Sequence, residues 1–240
     1  MTRAELTRTA ADLLGAGLLS GTAGNLSYRE APDRMAITPS GIPYPELRPE
    51  DVVVTDLSGR VVEGERKPSS ELPFHSAIYR ARPDVGAVVH THSPFATVLA
   101  ILHKPIPAVH YAIATLRVAA VPVVPYSTFG TDELAADIAS AFSAGGDAVL
   151  LANHGAIAVA SDLPGAAANA ETLEFLACAY YRALAVGDPV VLAPDEVERA
   201  IEAYAGYGQA ADASLSSQGA DQAAARAGER DSGHHDVRGS

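Results

Sequence analysis

Three histidines and one glutamate have the types and spacing to do chemistry together. His90-Thr91-His92 closes the apolar, β-branched run Val85-Gly86-Ala87-Val88-Val89. In a strand, residues i and i+2 share a face, so both imidazoles converge on one point. That spacing suits a metal ion bound by two neutral histidines. The plainer alternative is a strand end with one hydrogen-bonded histidine and one exposed one. His154 ends a second apolar run, Leu150-Leu151-Ala152-Asn153, and Gly155 after it permits a close turn. A third histidine completes a set with one coordination position open, the pattern of a catalytic rather than a structural site. By itself His154 also reads as a structural histidine. Glu71, in Ser69-Ser70-Glu71, falls at a predicted helix N-terminus, where the helix dipole favours a carboxylate. It reads either as an ordinary first-turn acid or as a metal ligand and general base. His75, one helical turn further on, reads as a packing or surface residue.

Three turns carry small polar groups: Gly24-Asn25, Thr38-Pro39-Ser40-Gly41 and Ser69-Ser70. Hydroxyls and N–H groups in such turns can cradle a phosphate without any lysine, although each is also a routine turn. No nucleotide-binding glycine motif competes with them, and no G-x-S-x-G offers the nucleophile of a serine hydrolase.

The elements that position these groups are legible from capping and periodicity. Thr2-x-x-Glu5 is a capping box, and Leu6, Ala10, Leu13, Leu14 and Leu18 recur at helical spacing, so a helix runs from about residue 3 to the Gly15–Gly21 region. A turn at 22–25 leads into a strand through Tyr28. Further strands are expected at Met35–Thr38, Val52–Asp56 and Val61–Glu63, the last two joined by the turn Asp56-Leu57-Ser58-Gly59. Ser70 is the expected N-cap of a helix to about Arg80, with Pro73 in its first turn. Val85–His92, Ile106–Val109, Val121–Val124, Ala148–Ala152 and Ala156–Ala160 read as extended. Pro94–Leu102, a segment from Thr131, an Ala-rich segment from Asp162 to about Val186, and Asp195–Tyr204 read as helices. Helices and strands alternate irregularly, with hairpins among them. The expected fold is therefore α/β, a three-layer α/β/α sandwich around a central, mostly antiparallel sheet. Residues 1–208 form one domain in this reading. Residues 209–240, rich in Ala, Gly, Ser and Asp, form a disordered tail in which His234-His235 is incidental.

The formal net charge is −12, which argues against nucleic-acid and anionic-membrane partners. No apolar run is long enough for a transmembrane helix. Met1-Thr2-Arg3-Ala4-Glu5 lacks a signal core, and the single cysteine, Cys178, has no partner for a disulfide, so the expected location is cytoplasmic.

Taken in order, several segments resemble the class II aldolase/adducin-head family over roughly residues 5–207. They are Gly24-Asn25-Leu26-Ser27, Thr38-Pro39-Ser40-Gly41-Ile42-Pro43-Tyr44, Ser69-Ser70-Glu71 with Phe74-His75, and His90-Thr91-His92. Ile106-Pro107-Ala108-Val109-His110-Tyr111, Pro125-Tyr126-Ser127-Thr128-Phe129-Gly130-Thr131, His154-Gly155 and Tyr207-Gly208 follow. The resemblance implies one Zn²⁺ per subunit, held by His90, His92 and His154 with Glu71 as fourth ligand at rest. Glu71, displaced by substrate, would shuttle the proton. Gly24, Asn25, Ser40, Gly41, Ser69 and Ser70 would bind a phosphate, and Phe129 would line the aldehyde pocket. Tyr111 would reach a neighbouring subunit's site in a homotetramer with sites between subunits, and Tyr207 would help close the site. The implied reaction is reversible cleavage of a ketose 1-phosphate, first of all L-fuculose 1-phosphate, to dihydroxyacetone phosphate and a small aldehyde such as L-lactaldehyde. L-Ribulose-5-phosphate 4-epimerase, methylthioribulose-1-phosphate dehydratase, deoxypentulose-phosphate aldolase and sugar-acid phosphate decarboxylase activities stay open within the family. Glu71, where the epimerases carry Asp, favours an aldolase. A non-catalytic adducin-like module would have no need to keep all four ligands.

Overall fold

The Thr2 hydroxyl accepts from the Glu5 N–H and the Glu5 carboxylate accepts from the Thr2 N–H, so the expected capping box opens the first helix. A computed structural model describes residues 1–205. Its helices are α1 (Arg3–Gly15), α2 (Leu72–Ala81), α3 (Pro94–Ile101), α4 (Asp132–Ser143), α5 (Leu163–Val186) and α6 (Pro194–Ala205). Its strands are β1 (Asn25–Ala31), β2 (Arg34–Ile37), β3 (Val53–Asp56), β4 (Val61–Glu63), β5 (Ala87–Thr91), β6 (Ile106–Pro107), β7 (Ala120–Val121), β8 (Val123–Val124), β9 (Ala148–Leu151) and β10 (Gly155–Ala160). Eight strands make one sheet in the order β4-β3-β2-β1-β5-β10-β9-β8, and β6 and β7 pair separately. Every neighbouring pair in the large sheet is antiparallel except β8–β9.

The pleat sorts side chains to two faces and so builds three layers. Ala87 and Val89 of β5 pack with Leu6, Leu13 and Ala166 from α1 and α5. On the same face, Leu150 and Ala156 meet Leu99 of α3 and Leu173 and Leu176 of α5. Val88, between Ala87 and Val89, faces the other way with Val149, Ile157 and Val159, under Phe74 and Ile78 of α2 and Ile138 and Phe142 of α4. Strand β5, which carries the first histidine pair, lies mid-sheet between β1 and β10. It is completely buried.

Four expectations need correction. Helix α2 starts at Leu72 with Glu71, not Ser70, at the N-cap, and no side chain caps it. Strand β5 stops at Thr91, so His92 lies just beyond its end. The extended runs at 106–109 and 121–124 shrink to two-residue strands. Pro122, which has no N–H to give a ladder, separates β7 from β8. A 3₁₀ segment, Tyr111–Leu116, was not foreseen. Tyr207, Gly208, His234, His235 and the 209–240 segment lie outside the described residues.

Candidate metal centre

Each of the four candidate ligands sits where an element ends. His90 is the penultimate residue of β5, paired with Asn25 of β1 on one side and Ile157 of β10 on the other. The His90 ring lies edge-on to Phe74. Its Nδ1 lies 2.9 Å from the Ala156 carbonyl oxygen. A carbonyl only accepts, so Nδ1 carries the proton and Nε2 presents its lone pair, the tautomer a metal ligand needs. His92 follows the strand end. It precedes α3, whose first N–H groups, on Phe95 and Ala96, donate to the Glu174 carboxylate at 2.9 Å. His154 sits in the β9–β10 turn, after Asn153, which takes the left-handed conformation (φ 53°). Asparagine tolerates that region better than most residues.

The structure brings the four together. One ligand atom from each of Glu71, His90, His92 and His154 lies within 4.8 Å of the others. The three imidazoles stand nearly perpendicular to one another, with centroids 4.8–5.0 Å apart. His90 Nε2 and His92 Nε2 are 3.0 Å apart. Glu71 Oε2 is 3.1 Å from His90 Nε2, and Oε1 is 3.1 Å from His154 Nε2. Glu71 Oε1 is nonetheless buried without an aligned hydrogen bond. A buried carboxylate oxygen lacking a donor, facing converging imidazole nitrogens, fits a cation and fits little else. Burial by itself would raise the Glu71 pKa, but the imidazoles of His90 and His154 outweigh it and hold the group well below the usual carboxylate range. His92 is pushed down to about 4 by burial and by its histidine neighbours, so its ring is neutral near pH 7.

Beside the cluster opens a cavity of about 450 Å³. Gly24, Asn25, Ser40, Gly41, Ser69 and Ser70 all line it, as do Glu71, His92, His154 and Phe129. Two backbone bonds stitch the second and third loops together: Ser69 N–H to Thr38 O at 3.1 Å and Ser40 N–H to Lys67 O at 2.9 Å. The Tyr44 hydroxyl donates to Gly24 O at 2.8 Å and pins the first loop. None of the described lining residues is Lys or Arg.

Of the two readings of His75, packing or surface residue, the structure agrees with the first: the ring is fully buried and hydrogen-bonded. The Asn25 side chain donates to Glu71 at 2.8 Å and accepts from His75 at 2.5 Å. Asn153 and Tyr126 line the cavity although neither was singled out as a site residue. The signal for Asn153 was its place before His154, where a non-glycine left-handed residue was to be expected in a tight turn. Tyr111 is 57% exposed, stacks on Tyr204 and is not among the described residues lining the cavity.

Residues 4–181 match the family model for the class II aldolase and adducin N-terminal domain. The chain belongs to that family. The aldolase is 46% identical over 208 residues to a 5-deoxy-D-ribulose 1-phosphate aldolase of Bacillus thuringiensis serovar kurstaki, covering 86% of this chain and 97% of that protein. It is 49% identical over 192 residues to a 5-methylthioribulose-1-phosphate/5-deoxyribulose-1-phosphate aldolase of Rhodospirillum rubrum, covering 80% and 86%. A solved L-fuculose 1-phosphate aldolase superposes with a TM-score of 0.82 at 44% identity, covering 85% of this chain and 96% of that one. Family and fold thus agree with the sequence reading, and the aldolase is a carbon–carbon lyase of a metal-dependent family.

Proposed function

We propose that this aldolase cleaves a ketose 1-phosphate with a deoxygenated tail to dihydroxyacetone phosphate and a small aldehyde, with Zn²⁺ held by His90, His92 and His154 and, at rest, Glu71. The observation that carries the reading is the convergence of those four ligands, of which Glu71, His92 and His154 line a cavity that three small-residue loops also line. When bound, the ion supplies Lewis-acid polarisation of the substrate carbonyl and offsets the negative charge that grows as the C–C bond breaks. The rest falls to the chain's own groups. Gly24, Asn25, Ser40, Gly41, Ser69 and Ser70 hold the phosphate through hydroxyls and N–H groups, next to the positive end of α2. That anchoring orients the reacting end. The Glu71 carboxylate, already at the cavity wall, takes and returns the proton at the carbon next to the carbonyl. Phe129 and Tyr126, both exposed on the cavity rim, offer apolar surface to the substrate tail. Tyr111 reaches a neighbouring copy's site in a homotetramer.

5-Deoxyribulose 1-phosphate, 5-methylthioribulose 1-phosphate and L-fuculose 1-phosphate share the phosphorylated carbonyl head and differ only in the tail. We place the two ribulose-derived substrates first, because the relatives at 46% and 49% identity carry them in their names. L-Fuculose 1-phosphate is the second reading, favoured by the superposition at a TM-score of 0.82. The test is dihydroxyacetone phosphate release from each of the three, before and after chelation and after zinc is restored. Turnover should vanish on chelation and return with zinc. Glu71→Gln should cut kcat on the order of 10²–10⁴-fold. Turnover that survives stoichiometric metal removal, or no release from any of the three, would overturn the proposal.

A further inference from the structure

Behind Glu71 lies a line of polar side chains that, beyond Asn25, the proposed reaction does not use. Glu71 Oε2 is 2.8 Å from Asn25 Nδ2, and Asn25 Oδ1 is 2.5 Å from His75 Nε2. His75 Nδ1 is 2.7 Å from Ser27 Oγ, which is 2.8 Å from the Tyr79 hydroxyl. Ser27 and His75 are 0% exposed, Tyr79 1% and Asn25 5%. Four polar groups in a core are costly unless every one is satisfied, and an apolar set of the same volume would pack there without that cost.

The donors in this chain can run in only one sense. A carboxylate accepts and cannot donate, so the Asn25 amide must turn its NH₂ to Glu71. Its carbonyl then faces His75, and Nε2 must carry the hydrogen. A ring this deeply buried is neutral, so Nδ1 holds the lone pair and accepts a hydrogen bond from the Ser27 hydroxyl. Ser27 Oγ in turn accepts from Tyr79. Every link points toward Glu71. The weak point is Asn25, since the two ends of an amide have nearly the same shape. Turned by 180°, it would set a carbonyl oxygen against the carboxylate oxygen and would break the bond to His75.

We infer that His75 is a positioning residue: its Nε2–H, fixed by Ser27 and Tyr79, locks the Asn25 amide in the orientation that presents an N–H to Glu71. Asn25 also lines the cavity, and its second N–H is not used by this chain of bonds. The lock therefore sets one side chain for two tasks, holding the carboxylate and offering an N–H to the substrate. Partners behind a metal ligand are worth about 10–100-fold in metal affinity or activity, and His75 sits one residue further back.

The inference rests on the proposed aldolase reaction, so its test is chosen to separate the two. The measurement is solvent deuterium exchange into dihydroxyacetone phosphate, which isolates proton transfer, together with kcat, KM, bound zinc and melting temperature. His75→Leu should lower exchange and kcat about 10-fold or more, with a smaller rise in KM as the Asn25 N–H turns away from the substrate. His75→Gln, whose amide N–H falls where Nε2 stands, should restore most of the loss. His75→Asn, whose shorter amide falls at the Nδ1 position, should not. Wild-type protein that fails to exchange sinks the aldolase reading itself. Wild-type exchange with an undiminished rate in folded, zinc-loaded His75→Leu, or no recovery in folded His75→Gln, overturns the lock. Should His75→Leu not fold, Ser27→Ala removes the hydroxyl that fixes the ring. A several-fold slower exchange in it is expected, and a wild-type rate overturns the inference.

Discussion

A metal ligand must be neutral if it is an imidazole and ionised if it is a carboxylate; burial favours the neutral ring of His92, and the neighbouring histidines favour the ionised Glu71. His75 shares this environment without being a ligand. Burial, and then the neighbouring His90, lower its pKa from 6.5 to about 3, with Glu71 opposing. The consequence for stability has a definite sign. Below pH 6.5 the unfolded chain takes up a proton that the folded chain refuses until about pH 3. Stability from this group is therefore complete above pH 6.5 and falls as the pH drops toward 3, by about 1.4 kcal/mol for each unit. Glu71, held below its ordinary range, acts in the same direction but at lower pH. Urea unfolding of chelator-treated protein between about pH 7 and pH 5 should show stability falling steeply on acidification, and His75→Gln should flatten that slope. Equal slopes in the two proteins would mean that His75 is not held neutral by the fold.

At the scale of the element, the site is assembled from strand ends and tight turns, and close backbone approach is what they share. A Cβ on Gly155 would stand 2.4 Å from the Thr91 carbonyl oxygen and 2.9 Å from His92 Cδ2. Gly155→Ala must push β10 away from β5 or swing His92 out of the cluster. We expect a cost of about 1–3 kcal/mol in stability and a tenfold or greater loss of zinc affinity, read by melting and by competition with a chromogenic chelator. An unchanged affinity would show that His92 does not depend on that approach. The same elements show why some of the site could be read in the sequence. His90 and His92 were legible because a period of two puts them on one face. His154 was legible because an apolar run stops at a glycine turn. The role of His75 was not, because its partners Ser27 and Asn25 lie 48 and 50 residues away on another element. The start of α2 misled for a related reason. Ser70 looked like the cap, yet Glu71 occupies that position and turns its carboxylate to the histidines instead of capping. A local helix rule gives way where the chemistry is, which no local pattern can announce. The split at Pro122 was missed because two β-branched pairs flanking a proline look like one strand.

At the scale of the whole molecule, the remaining demand is a group that takes the proton from the aldehyde-side hydroxyl in cleavage and gives it back to that oxygen when the bond forms. Tyr111, which we propose reaches a neighbouring copy's site, has the hydroxyl for this task, yet within one chain it is not among the described residues lining the cavity. It lies at the start of the 3₁₀ segment Tyr111–Leu116, 57% exposed, against the His110 ring, which in turn meets Phe175 of α5 edge-on, itself 50% exposed. An exposed aromatic band of this kind suits burial against another copy of the chain, as the proposed homotetramer requires. If each site takes Glu71 from one copy and Tyr111 from its neighbour, two inactive variants can repair one another. Glu71→Gln supplies an intact Tyr111, and Tyr111→Phe supplies an intact Glu71. Each alone should be strongly impaired. When the two are co-expressed in equal amounts, a site is intact only if the chain giving the carboxylate is the tyrosine variant and its neighbour is the glutamate variant. Random assembly makes that true for about a quarter of sites, so activity should recover to about a quarter of wild type. Mixing already assembled variants should restore nothing until the subunits exchange. Co-expressed protein no more active than the better single variant would place Tyr111 outside the neighbouring site, and the proton donor would then have to come from the same chain as the His/Glu cluster.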